Sequence, residues 1–208
     1  MASGTTTSQR QNVKEMNRLD LCKRLTAMLK NNEIVVAGIG NTNFDLFGSG
    51  DRKENFYMLG SMGLAIPIAL GVAIAQPNRQ VIALEGDGSL LMNLGCLTTV
   101  ATTAPPNLTI IAWDNGLYQI TGGQQAATAE VTDLAVVAAG AGIANSNWAA
   151  DEDSFEQLLA DALGHDGPSF IAARVDNTAS TARPERDPVV LKDRFMRGIG
   201  VKPIVTQI

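Results

Sequence analysis

Cysteine, histidine and aromatic residues are scarce in this chain, and each shortage excludes something. Two cysteines, Cys22 and Cys96, are too few for a disulfide framework and show no metal-ligand spacing. The one histidine, His165, stands in a Gly-His-Asp-Gly-Pro segment that reads as a surface loop, which argues against a Cys–His catalytic pair and leaves two buried thiols as the expectation. Aromatics are 5% of the chain against 45% apolar residues, so the core must be mainly aliphatic, as a parallel sheet covered by helices requires. A basic cluster is also missing. With a net charge of -5 the overall field does not attract polyanions, which excludes nucleic acid as a general partner. The longest apolar run, residues 64–75, is too short to span a bilayer and contains Pro67 and Gly71. Residues 1–12 are polar and lack the apolar centre of a signal peptide; they are expected to form a mobile tail. From these absences a soluble, cytoplasmic protein with neither membrane nor nucleic acid as a general partner is expected.

What the sequence does contain is an alternation of short branched apolar runs with amphipathic stretches. At 208 residues it suits one domain. Strands are expected at 33–37, 55–59, 80–84, 108–113, 146–149 and 168–175, and helices at 13–29, 64–75, from Ser89 onward, 131–139, 154–163 and 187–196. The segment 44–52 reads as an exposed connection, in which Arg52 meets either an anionic substrate or an ordinary ion-pair partner. The order of elements implies a three-layer α/β/α sandwich with a mainly parallel sheet and ligands at the carboxyl ends of its strands.

Two segments carry the chemistry. Glu85-Gly86-Asp87-Gly88-Ser89 follows one expected strand and Trp113-Asp114-Asn115-Gly116-Leu117-Tyr118 closes the next, with 26 residues between Gly88 and Asn115. If the strands are neighbours, Asp87 and Asn115 converge. A carboxylate and an amide oxygen are hard donors suited to Mg²⁺, which prefers a carboxylate plus substrate phosphates. Gly86 and Gly88 allow close approach of the backbone, and Ser89 with the following amides stands at a helix start, which favours an anion. The combination predicts a magnesium ion bridging the protein to a diphosphate. A second turn, Gly38-Ile39-Gly40-Asn41-Thr42, offers Asn41 and Thr42 as diphosphate contacts or, equally, as helix N-caps. A dinucleotide site is disfavoured, because Gly86-Asp87-Gly88-Ser89-Leu90-Leu91 lacks the third glycine of that turn.

Gly86-Asp87-Gly88, the 26-residue gap and Asn115 together resemble the thiamine diphosphate motif. The resemblance runs from about residue 21 to 175 and is nearest to the β chains of sulfopyruvate decarboxylases and to phosphonopyruvate decarboxylases. The stretches 55–63, 88–95 and 114–118, and then 121–124, carry it. It implies the thiamine diphosphate-binding fold of the diphosphate-binding type over 13–178; the polar, proline-containing C-terminal extension, 179–208, is expected at a subunit contact. It also implies that the Leu117 carbonyl completes the metal set of Asp87 and Asn115, with Tyr118 beside them. The motif's usual Asn-Asn pair is Asp114-Asn115 here. By the same resemblance, the Gly60 carbonyl accepts from the coenzyme's aminopyrimidine, and Met62, after Ser61, supports a bent coenzyme from below. Some relatives have His where Leu64 stands. Residues 116–129 are expected to order over the coenzyme when ligand or partner is present. The activating glutamate belongs to a pyrimidine-binding domain that this chain lacks. The resemblance therefore implies an α subunit carrying it, an α2β2 heterotetramer, and decarboxylation of a small anionic 2-oxo acid. An acetolactate-synthase-like carboligase subunit and a non-catalytic coenzyme-binding or regulatory subunit are the alternatives.

Overall fold

A computed structural model describes residues 12–30 and 32–201. The expected tail lies outside the described residues except for Asn12. Six parallel strands form one sheet: β1 (Ile34–Ala37), β2 (Asn55–Tyr57), β3 (Val81–Gly86), β4 (Leu108–Asp114), β7 (Asn145–Ala149) and β8 (Ser169–Arg174). Their order is β2-β1-β3-β4-β8-β7. A short antiparallel hairpin, β5 (Leu117–Tyr118) and β6 (Gln124–Gln125), stands apart from it.

Strand residues alternate between two cores. Along β4, Leu108, Ile110 and Ala112 face one core and Ile111 and Trp113 the other. This two-sided burial is why the strands read as unbroken apolar runs, each buried Ile or Leu contributing about 1.5–3 kcal/mol. Helices α3 (Ala65–Ala75), α5 (Gly95–Thr103) and α6 (Leu134–Gly140) cover the first face, and α1 (Arg18–Met28), α2 (Asn41–Ser49) and α7 (Glu152–Gly164) the second. A five-residue helix, α4 (Asp87–Leu91), joins β3 to α5. The last helix, α8 (Pro188–Gly198), lies at the β2 edge and sends Phe195 into one core and Leu191 into the other.

Several boundaries differ from the expectations above, for local reasons. The first helix starts at Arg18 rather than 13, because the Asn17 side chain accepts from the Asp20 amide and Met16 bridges to Val175. Likewise the helix expected from 131 starts at Leu134, where the Asp133 carboxylate takes the amides of Ala135 and Val136. The segment 44–52 is not an exposed connection. Most of it is α2, with Leu46 in the core and Asp45 ion-paired to Arg18 at 2.7 Å, both side chains 3% exposed. A charge that looked like a surface feature is thus a buried one. The run after Ser89 is two helices broken at Met92–Leu94; Thr98 is exposed, while Cys96, Leu97 and Val100 are buried. Both cysteines are buried and His165 is exposed, as expected. Arg52 donates to the Glu33 carbonyl at 3.0 Å, far in the fold from the strand ends that matter.

Candidate active site

The sheet order reverses beside β1: β1 is followed by β2 on one side and by β3 on the other. In open α/β sheets, the crevice outside the carboxyl ends at such a point is where ligands bind. Here it is built from the segments that leave β1, β3 and β4. Parallel pairing sets Gly86 opposite Trp113, so Asp87 and Asn115 emerge side by side. The cleft is lined by Asn41, Thr42, Met62, Gly86, Asp87, Gly88, Ser89, Asn115, Leu117 and Tyr118, all singled out in the sequence. Gly60 and Ser61 are not among its lining; Ser61 is exposed with φ 63°.

Asp87 is 2% exposed. Its Oδ2 accepts from the Gly116 amide at 3.1 Å and from the Thr128 hydroxyl, both neutral donors. Burial, with the Asp114 carboxylate nearby, pushes Asp87 up to about 6. A buried carboxylate satisfied only by neutral donors is a site that a cation would stabilise. Asn115 folds into a local turn, its Oδ1 accepting from the Leu117 amide at 3.0 Å. That oxygen keeps a second lone pair. Asp114, the departure from the Asn-Asn pair, is fully buried; its Oδ2 takes a guanidinium hydrogen bond from Arg174 at 3.1 Å and its Oδ1 shares the Gly116 amide. Its charge is therefore met from β8, outside the proposed metal set.

Neither Asn41 nor Thr42 is an N-cap. Gly40 holds that position with φ 73°, and the two side chains stand in the first turn of α2, at the cleft. Asn41 donates to Gln119 Oε1 at 2.8 Å, and its Oδ1 accepts from the Ser180 amide at 3.2 Å. Gln119 also receives a hydrogen bond from Asn115 at 3.3 Å and donates to the Asn177 carbonyl. One glutamine thus ties the turn after β1, the turn after β4 and the segment after β8. Two glycines are needed for close approach. A Cβ on Gly88 would lie 2.6 Å from the Tyr118 ring, and one on Gly40 2.6 Å from Ile120 Cγ1.

Gln119, Ile120, Thr128 and Arg18 were not anticipated as site residues. Gln119, four residues after Asn115, carried only a spacing hint; Thr128 lies in an aperiodic stretch; Arg18 reads as an ordinary helix-surface charge. Arg18 lines the cleft yet is committed, to Asp45 and to the carbonyls of Asp176 and Thr178. Cysteine chemistry finds no support: burial pushes the Cys22 thiol up, and Cys96 up to about 11. The cleft volume is only ≈ 70 Å³, below the roughly 300 Å³ lower end for cofactor sites.

Comparison with known proteins agrees with this geometry. Residues 38–173 match the model of the thiamine pyrophosphate enzyme, C-terminal TPP binding domain. The chain is 38% identical over 183 residues to sulfopyruvate decarboxylase subunit beta of Methanocaldococcus jannaschii, covering 88% of this chain and 96% of that one. To phosphonopyruvate decarboxylase of Streptomyces viridochromogenes it is 37% identical over 191 residues, 91% of this chain but 48% of the longer relative. A thiamine diphosphate-dependent 4-hydroxybenzoylformate decarboxylase of Rhodococcus jostii shares the fold with a TM-score of 0.69 at 24% identity, over 78% of this chain and 33% of its own. From the fold, the cleft at the sheet reversal and the matched residues, the chain belongs to the thiamine pyrophosphate enzymes, of which it carries the C-terminal coenzyme-binding domain.

Proposed function

We propose that this chain is the β subunit of a two-chain thiamine diphosphate-dependent decarboxylase acting on a small anionic 2-oxo acid, with sulfopyruvate and phosphonopyruvate the first substrates to test. The observation that carries the reading is the emergence of Asp87 and Asn115 from adjacent strands into one cleft. The near-full-length likeness to a sulfopyruvate decarboxylase β subunit supports the substrate class.

In this reading Mg²⁺ is held by the Asp87 carboxylate, Asn115 Oδ1 and the Leu117 carbonyl, all hard oxygens. The diphosphate lies against Asn41, Thr42, Gly86, Gly88, Ser89 and Tyr118. Gly60 and Ser61 would contact the coenzyme from the loop that carries Met62, and Met62, in the cleft, would support its rings. When bound, thiamine diphosphate supplies a thiazolium ring that accepts the electrons left behind as carbon dioxide departs. This chain's residues anchor and orient; Asp87, buried among neutral donors, gains a counter-charge. That the cleft of this chain measures only ≈ 70 Å³ supports a reading in which another chain completes its outer wall. That wall is an α subunit with the pyrimidine-binding domain and its glutamate, in an α2β2 assembly, with 13–178 as the diphosphate half and 179–208 at a subunit contact. No helix of the described residues is long and apolar enough to cross a membrane, which suits a cytoplasmic enzyme.

The test is reconstitution of the chain with its α chain, thiamine diphosphate and MgCl2, followed by carbon dioxide release from both substrates. Turnover only in the mixture supports the proposal. Coenzyme binding with carboligation products, or with no turnover of any 2-oxo acid, overturns the decarboxylase reading.

A further inference from the structure

The loop between β2 and α3, residues 58–64, presents Met62 to the cleft, and side chains from three directions hold it. The Asn43 side-chain amide, 2% exposed on α2, donates to the Met58 carbonyl at 2.6 Å. At the far end both polar groups of Gly63 are taken by one short stretch of chain. Its amide donates to Ser89 Oγ at 2.8 Å, and its carbonyl accepts from Asn93 Nδ2 at 2.9 Å. One step on, the Ala65 amide at the start of α3 donates to Glu85 Oε2 at 3.2 Å. Met62 therefore sits between two residues of positive φ, Ser61 at 63° and Gly63 at 80°. A Cβ on Gly63 would come 2.6 Å from Asn93 Cβ, so the loop is pressed onto that asparagine. Ser61 holds a conformation that non-glycine residues adopt only when their surroundings fix it.

We infer that Ser89 and Asn93 are positioning residues: through Gly63 they set where Met62 stands beneath the coenzyme, so the segment that anchors the diphosphate also fixes the support of the rings. The inference rests on the coenzyme reading above. Asn93 does not line the cleft and so acts only through the loop. Accepting from Gly63 uses a lone pair of Ser89 Oγ and does not compete with donation by its hydroxyl hydrogen.

The test uses Asn93→Asp, an isosteric change that removes the donor to Gly63, with Asn93→Ser as a second variant should the charge disturb folding. Each is reconstituted with the α chain and titrated with thiamine diphosphate or inorganic pyrophosphate, in MgCl2. Loss of one partly buried hydrogen bond is expected to weaken coenzyme binding about tenfold. Pyrophosphate binding should stay within about twofold, and in a Met62→Ala background the same change should cost at most about twofold, because the coupled pair is already broken. In the coenzyme-free chain, amide exchange at Gly63 and Ala65 should accelerate. Coenzyme binding equal to wild type, an equal loss for pyrophosphate, full additivity with Met62→Ala, or unchanged exchange would each overturn the inference. A wild-type complex that ignores thiamine diphosphate would instead sink the cofactor reading, while exchange would still judge the clamp.

Discussion

Asp87 and Asp114, at the ends of neighbouring strands, share a single donor: the Gly116 amide lies 3.1 Å from Asp87 Oδ2 and 3.1 Å from Asp114 Oδ1. Two buried carboxylates on one N–H repel, and the fold relieves them unequally. Asp114 has a guanidinium from Arg174 at 3.1 Å, whereas Asp87 has the Thr128 hydroxyl and the open cleft. In the proposed reading, a bound cation relieves the repulsion that remains at Asp87.

Asp87→Asn is therefore expected to separate binding from stability. Coenzyme binding in MgCl2 should fall at least about a hundredfold with loss of the charged metal ligand, while the coenzyme-free protein should unfold in urea no earlier than wild type, because a buried charge has been removed. Unchanged affinity by calorimetry would remove Asp87 from the metal set.

Arg174→Met removes a cation that balances buried Asp114. With Arg174 29% exposed, the cost should be about 1–3 kcal/mol in urea unfolding, below the value for a fully buried pair. Adding Asp114→Asn, which restores the pair usual in the family motif, should recover most of that loss. If the double variant is no more stable than Arg174→Met, the two side chains are not coupled.

Gly40→Ala places a methyl group 2.6 Å from Ile120 Cγ1 on a residue with φ 73°. A destabilisation of about 1–3 kcal/mol is expected. It should be accompanied by faster hydrogen exchange across 119–121, since Ile120 is the side chain that must yield. A variant as stable as wild type would mean that the turn after β4 does not depend on Gly40.

Iodoacetamide at pH 7 should leave the folded chain unlabelled at Cys22 over hours and label Cys96 only slowly, since both thiols are buried and their thiolates disfavoured. Rapid stoichiometric modification accompanied by loss of coenzyme binding would reopen a role for cysteine.

The strands and the convergence of Asp87 and Asn115 were legible because two-sided burial writes itself as apolar runs, and because glycines at strand ends are visible locally. Asp87 and Asn115 needed only adjacency of two strands to converge, and β3 and β4 are adjacent. The misread side chains share one cause, a pairing that sequence distance hides. Asp45 looked solvated because Arg18, 27 residues away, is invisible as its partner. Thr128 lies 41 residues from the carboxylate it serves. Helix starts were misplaced where one cap, Asn17 or Asp133, outweighed the periodicity of the residues before it.

The stretch from Glu85 to Asn93 has a consequence for how such a domain can change in length. An added or deleted residue between Ser89 and Asn93 would change their relative placement and separate the two contacts that Gly63 requires. One between Glu85 and Ser89 would displace Asp87 or the residues after it. Insertions are thereby steered to the hairpin that follows β4, whose tip, residues 121–125, is exposed.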